Sequence, residues 1–277
     1  MRSRMVRLQE RGQEERRRHG WVDAAFEVVD RDGEVGGGII SGALAYRLFI
    51  WMLPFGLVFV GGLGVLAGAS SETPYRVAAH LGLDGIISSS VESSSQSSSP
   101  WYALIVGVPI LLFVTRSVLR VLIGTHRLAW GDLKGVRPKP TFLDSTKLLG
   151  VFIAYVALAV CAAWARAHSP AVGLVVTIGV IAGFVGLWLW TSTRLPHRDA
   201  RWMNLLPGAV VVGVGLGILQ VIAAYVFGPY ALQKQGTYGA LGLGAALLLG
   251  LFVLGRLLVA GAEINATLWE RTSRGRG

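Results

Sequence analysis

The chain has 277 residues, of which 53% are hydrophobic and 15% are charged, and its formal net charge is +10. The charged fraction lies well below the roughly 25% found in soluble domains, so the composition excludes an ordinary soluble domain. Apolar residues run together over about 20 positions, which is the length at which a helix crosses the hydrocarbon core of a bilayer. The sequence therefore predicts an all-α, polytopic membrane protein.

The first 20 residues form a basic N-terminal tail with seven arginines. The sequence predicts that this tail is disordered, because the charge run has no apolar face to accompany it. The following segment, WVDAAFEVVDRDG, places Trp21, Ala25 and Val28 on one face of a helix. This pattern is typical of a short amphipathic helix lying on the membrane surface. An alternative places the same helix on the cytoplasmic loops.

Six membrane-spanning helices are predicted downstream, in a single domain over residues 21–270, followed by a basic tail over residues 271–277. Their approximate bounds are residues 40–69, 101–124, 147–168, 170–193, 203–228 and 237–266. Pro54 and Pro109 fall inside the first two spans and are expected to kink them. The serine-rich stretch over residues 88–100 is expected to be a flexible exposed loop. Gly213 and Gly217 form a GxxxG pair, a spacing that lets helices approach closely in lipid.

Arginine and lysine are frequent in every second loop along the chain and scarce in the loops between. They are frequent in the N-terminal tail, in the second and fourth loops and at the C-terminus, with Lys147, Arg194 and Arg198 among them, and scarce in the loops between. Because such residues accumulate on the cytoplasmic side of membrane proteins, both termini are predicted to be cytoplasmic. This distribution also accounts for most of the net charge, so no nucleic acid partner is needed to explain it.

Patterns of enzymatic chemistry are missing from the sequence. The five histidines and the single Cys161 are not spaced as metal ligands. Neither a GxSxG nucleophile elbow nor a Walker loop is present. We therefore expect no catalytic site, no metal ion and no cofactor.

Polar and ionisable side chains inside the apolar segments are the remaining candidates for function. They are Tyr46 and Arg47 in the first span, Arg116 and Arg120 in the second, and Arg256, Glu263 and Asn265 in the sixth. One interpretation is that the arginines reach the cytoplasmic headgroups while Glu263 neutralises one of them. The other is a basic cavity that opens to the cytoplasm and takes an anionic lipid or a small anionic solute, because charges inside a membrane usually face the bundle interior. Glu263 is expected to pair with Arg116 or Arg120, and Asn265 to bond exposed backbone or a neighbouring helix.

Three segments carry a resemblance to a known family. The sixth span has a Tyr-Gly pair, then an apolar run, and then Gly-Ala-Glu-x-Asn-Ala. The fifth span begins with Leu-Pro-Gly-Ala. The first span has Ala-Leu-Ala-Tyr followed by a proline. The residues are Tyr238, Gly239, Gly261, Ala262, Glu263, Asn265, Ala266, Leu206, Pro207, Gly208, Ala209, Ala43, Leu44, Ala45, Tyr46 and Pro54. On these motifs the chain resembles the YihY/virulence factor BrkB family over roughly residues 20–270. Arg47, Trp51 and Arg256 depart from the family pattern.

The resemblance implies a six-helix protein of the bacterial inner membrane. The family has been linked with a tRNA-processing ribonuclease, with envelope integrity and with lipid or solute export. The missing metal-site pattern argues against a ribonuclease, so the sequence favours a transporter. The alternative is a non-transporting scaffold that maintains the envelope.

Overall fold

The computed structural model of the protein describes residues 20–70, 100–132, 140–168, 170–223 and 228–274. Within these segments, all the regular structure is helical. The α-helices are α1 Gly20–Val35, α2 Gly37–Ser70, α3 Pro100–Ala129, α4 Phe142–His168, α5 Pro170–Ser192, α6 Leu206–Ile222 and α7 Gly228–Arg274. A single 3₁₀ turn, Trp202–Leu205, precedes α6. The predicted disordered tail and the serine-rich loop lie outside the described residues, except for the helical residues Gly20 and Pro100 at their ends.

Six of these helices, α2 to α7, are long and apolar enough to cross a membrane, which confirms the predicted all-α class and number of spans. The candidate spans are Gly37–Gly62, Trp101–Ala129, Phe142–Cys161, Val175–Ser192, Trp202–Ile222 and Gly244–Arg274. Pro54 and Pro109 lie inside α2 and α3, and both helices continue past them. Leu53, Ile105 and Phe113 are exposed on these helices, as expected where the surface meets lipid rather than water.

Helices α2 to α7 close into a ring. Each packs against its neighbour in sequence order, and α7 returns to pack against α2. Small residues allow two of these helices to approach closely: Gly213 and Gly217 of α6 lie directly against Val185 and Ile181 of α5. This confirms that the GxxxG pair is a helix-packing feature.

The short helix α1 is set off from α2 by a single residue, Gly36. Its φ of +72° belongs to the left-handed region that glycine enters without steric cost. The turn places α1 against α7, with smaller contacts to α2 and α3. The prediction of a short N-terminal helix is confirmed, but its packing partner is α7, which neither interpretation of the sequence named.

Candidate functional site

The ring of helices lines a partly open cavity of about 380 Å³, which we call the central cavity. All six spanning helices contribute to its wall. Representative side chains, one from each helix in order, are Trp51, Leu122, Tyr155, Phe184, Leu216 and Leu254. Its volume falls within the roughly 300–1,000 Å³ of typical ligand pockets.

The few polar groups in this wall are directed into the protein. Trp51 Nε1 donates to the hydroxyl of Thr115 at 2.8 Å, and the Tyr155 hydroxyl donates to the Phe184 carbonyl at 3.3 Å. The Gln220 amide donates to a carbonyl of α4 at 3.0 Å. Trp188 Nε1, also in this wall, is buried without a partner among the described residues. The surface that remains for an occupant is otherwise apolar. It suits hydrocarbon better than an ion.

A second space of about 550 Å³ lies where α3 and α5 end and α4 begins; we call it the polar pocket. Its charged and titratable lining consists of Asp132, Asp144, Lys147, Arg194, His197 and Arg198. In the sequence, the basic residues among them indicated only which side of the membrane each loop faces. The structure brings Lys147, Arg194 and Arg198 together around one opening.

Both carboxylates of the polar pocket have local structural roles. Asp144 and Thr141 cap the start of α4 reciprocally, with the Thr141 N–H donating to Asp144 at 3.0 Å and the Asp144 N–H to the Thr141 hydroxyl at 3.2 Å. Asp132 lies 4.0 Å from the guanidinium of Arg127. Lys147 and Arg194, by contrast, form no ion pair within the described residues. The pocket therefore offers positive charge to an incoming group.

The polar pocket and the central cavity are adjacent. Leu148, Val151 and Thr191 line both of them. A charged opening thus lies beside an apolar cavity, an arrangement that matches a molecule with an anionic head and a hydrocarbon tail. None of the seven polar candidates identified in the spans lines either space.

A row of ion pairs joins α1 to the last part of α7; we call this contact the α1–α7 interface. The pairs are Asp23–Arg271, Glu27–Arg271, Glu27–Arg274, Arg31–Glu270 and Asp32–Arg256. Residues early in α1 pair with residues late in α7, so the two helices run antiparallel. Exposed ion pairs are worth about 0–1 kcal/mol each, so the interface depends on the whole row and on what is buried beneath it.

Glu263 is the buried acid of this interface, with 1% of its surface exposed. It lies on the face of α7 that also carries Arg256 and Glu270, whose ion-pair partners Asp32 and Arg31 belong to α1. Arg256 holds Asp32 through both guanidinium nitrogens, at 2.6 and 3.1 Å. Glu263 Oε1 has no hydrogen-bond partner among the described residues.

The predicted pairing of Glu263 with Arg116 or Arg120 is wrong. Arg116 donates instead to the Pro140 carbonyl at 3.1 Å, and Arg120 is exposed. The physical reason is the rotation of α7, which turns the face carrying Glu263 towards α1. Helix α1, which the sequence placed on the membrane surface or on the cytoplasmic loops, supplies ion-pair partners for this face of α7.

The two predicted residues in α2 are separate from this interface. Arg47 donates to the Ser117 hydroxyl of α3 at 2.6 Å, and Tyr46 is 58% exposed. The predicted polar residues thus fall in different places, on α2–α3 and on α7, and do not form one site. Asp32 was missed, since nothing in the sequence tells which span α1 will contact.

Asn265 joins two of the motifs that carried the family resemblance. Its side-chain oxygen accepts a 2.8 Å hydrogen bond from the buried N–H of Gly208, near the start of α6. Gly208 also lies against the carbonyl of Gly261, so a side chain there would separate the helices. Of the two alternatives predicted for Asn265, exposed backbone or a neighbouring helix, the structure shows the neighbouring helix, because the bonded N–H of Gly208 is buried. Of the other motif residues, Pro207 lies in the first turn of α6. Tyr238 and Gly239 lie on α7, outside the part whose side chains are described.

Six apolar helices closed around a cavity define a multi-pass helical membrane protein. A family model, Virulence factor BrkB, matches residues 31–277. The chain belongs to this family, which confirms the resemblance drawn from its motifs. No curated protein and no solved structure matches the chain.

Proposed function

We propose that the protein binds an anionic lipid-like amphiphile and carries it across the bacterial inner membrane. The observation that supports this proposal is that the polar pocket lies directly beside the central cavity and shares lining residues with it. The anionic head would lie among Lys147, Arg194 and Arg198. The tail would lie along the apolar wall of the central cavity.

The direction of entry follows from the distribution of charge. Basic residues are concentrated in the loops at the end of the bundle that holds the polar pocket, so this end and both termini belong in the cytoplasm. An inner-leaflet lipid already has its head at that level and its tail towards the bilayer centre. It enters the polar pocket and central cavity without inverting. In this proposal the protein performs no covalent chemistry.

Binding is tested with the purified protein in native mass spectrometry, offering an anionic phospholipid, a zwitterionic phospholipid and inorganic phosphate. The anionic phospholipid is expected to bind most tightly. Removing two cations with Lys147→Ala/Arg194→Ala should weaken this binding about 30-fold, since each cation near a membrane surface contributes about 1 kcal/mol. The matched control Arg120→Ala/Arg201→Ala removes two exposed cations that line neither space.

The role of the central cavity is tested by introducing a bulky side chain into its wall. Val156 lines it, while the adjacent Ala157 is exposed, so Val156→Trp should block phospholipid binding and Ala157→Trp should not. The amphiphile proposal would be contradicted if inorganic phosphate bound as tightly as the anionic phospholipid. It would also be contradicted if Lys147→Ala/Arg194→Ala and Arg120→Ala/Arg201→Ala weakened phospholipid binding equally.

Flux of a head-labelled anionic phospholipid in proteoliposomes tests the transport step. Binding without flux would favour the alternative of an envelope scaffold that holds lipid.

A further inference from the structure

Glu270, near the end of α7, lies between two charged regions of the protein, the α1–α7 interface and the polar pocket. Its Oε1 atom accepts a 2.6 Å hydrogen bond from Arg31 of α1. The same atom lies 3.9 Å from Nη1 of Arg198, which lines the polar pocket. Arg274 lies 3.6 Å from the other oxygen. One carboxylate is therefore shared by an arginine of α1 and an arginine of the pocket.

Arg31 holds Glu270 more firmly than Arg198 does. A charge-assisted hydrogen bond between a guanidinium and a carboxylate is short, at about 2.7–2.9 Å. The 2.6 Å contact of Arg31 is of this kind, whereas the 3.9 Å contact of Arg198 is beyond hydrogen-bonding distance. Arg31 is also fixed by a second bond, since it donates to the hydroxyl of the buried Thr267 at 3.1 Å. While α1 is docked on α7, the oxygen that faces Arg198 is thus already taken.

Arg198 is held between the polar pocket and Glu270. It is the one non-glycine residue in the described segments with a positive φ, at 50°, a left-handed conformation that costs energy for a residue with a side chain. Its guanidinium lies over the ring of Trp269, 5.7 Å from the centroid, and a Cβ atom at Gly131 would lie 3.0 Å from its Nη2. A short movement of the side chain would bring Nη1 within hydrogen-bonding distance of Glu270.

We propose that Glu270 is a positioning residue that links α1 to the polar pocket: Arg198 is available to the anionic head while Arg31 bonds Glu270, and pairs with Glu270 when α1 leaves α7. This inference rests on the proposed function for its ligand and adds the regulation of that site. With α1 undocked, the cations left to the pocket are Lys147 and Arg194. Anionic lipid therefore binds the docked form more tightly, and bound lipid in turn stabilises the docking of α1.

Arg31→Gln tests the link, because it releases Glu270 and leaves every residue of the polar pocket in place. Binding of an anionic phospholipid to the purified full-length protein, measured by native mass spectrometry, should weaken about fivefold, the contribution of one cation near a membrane surface. The double variant Arg31→Gln/Glu270→Gln should bind as tightly as the wild type, since the released carboxylate is then absent. If the pair only held α1 in place, the double variant would bind no better than Arg31→Gln.

Arg271→Gln is the matched control. It removes an arginine of the same interface that pairs with Asp23 and Glu27 but not with Glu270. Phospholipid binding should stay at the wild-type level, because Arg31 remains bonded to Glu270. Equal weakening in Arg271→Gln and Arg31→Gln, or a double variant without rescue, would overturn the proposal.

Phenylglyoxal labelling of arginine, measured at Arg198 by peptide mass spectrometry without lipid, separates this proposal from the lipid proposal. Phenylglyoxal reacts with the deprotonated guanidine, and a bonded carboxylate stabilises the protonated form. Arg31→Gln should therefore slow labelling of Arg198 and leave Arg194, in the same loop, unchanged. Slower labelling in a protein that binds no phospholipid would refute the proposed function and support the link. Phospholipid binding with unchanged labelling in Arg31→Gln would refute the link and leave the function standing.

Discussion

Replacing Asn265 by alanine removes a bond between two helices that no other group can restore. Gly208 is the third residue of α6, and its N–H has no acceptor within its own helix. The N-cap residue is Leu205, which has no side-chain acceptor, and Pro207 has no N–H to contribute. Asn265 therefore caps α6 from the neighbouring helix α7.

The magnitude follows from the burial of the donor. An unpaired N–H in a buried position costs about 1–3 kcal/mol, and loss of a capping acceptor costs about 1 kcal/mol by itself. Because the Gly208 N–H lies at a buried contact, we expect Asn265→Ala to lower the free energy of unfolding by about 2 kcal/mol. This corresponds to roughly a 30-fold change in the ratio of folded to unfolded protein.

Reversible unfolding in mixed micelles, followed by helix content and tryptophan fluorescence, measures this free energy. Thr272→Ala is the control, since Thr272 is exposed and bonds only a carbonyl of its own helix. Its effect should stay within about 0.5 kcal/mol. If Asn265→Ala were as mild as the control, the inter-helix cap would not be a stabilising contact.

Two further substitutions test other contacts. Gly37→Ala places a methyl group where the carboxylate of Asp32 lies beside Arg256, so it should break that ion pair and raise amide hydrogen exchange throughout α1. Thr115→Val keeps the shape of a fully buried side chain but removes the acceptor for Trp51 Nε1; we expect a loss of about 1–3 kcal/mol in unfolding free energy.

Each of these substitutions has a counterpart elsewhere in the chain. Gly38 has no atom within 4 Å of the position where a Cβ would lie, so Gly38→Ala should leave exchange in α1 unchanged. Thr146 is exposed and bonds only the Phe142 carbonyl of α4, so Thr146→Val should have little effect. Equal effects in a variant and its counterpart would refute the contact assigned to that variant.

Local sequence determines most of the secondary structure of this protein. Long apolar runs must form helices in a bilayer, because every backbone group needs a partner there, and six such runs give six spans. Gly213 and Gly217 likewise predict a close helix contact from spacing alone. The Gly-Ala-Glu-x-Asn-Ala and Leu-Pro-Gly-Ala motifs contain the two residues, Asn265 and Gly208, that join α7 to α6. Neither motif by itself indicates that it contacts the other.

Tertiary structure alone decides which of these faces meet. Glu263 and Arg116 both lie in apolar spans, and the sequence offers no means of knowing that α7 turns the face carrying Arg256 and Glu263 towards α1. Lys147 lies near the start of α4 and Arg194 in the loop after α5, and only closure of the helix ring brings them to one opening beside the central cavity. The sequence sets the length and apolar character of each helix through local physics, whereas helix rotation and ring closure depend on packing between residues far apart in the chain.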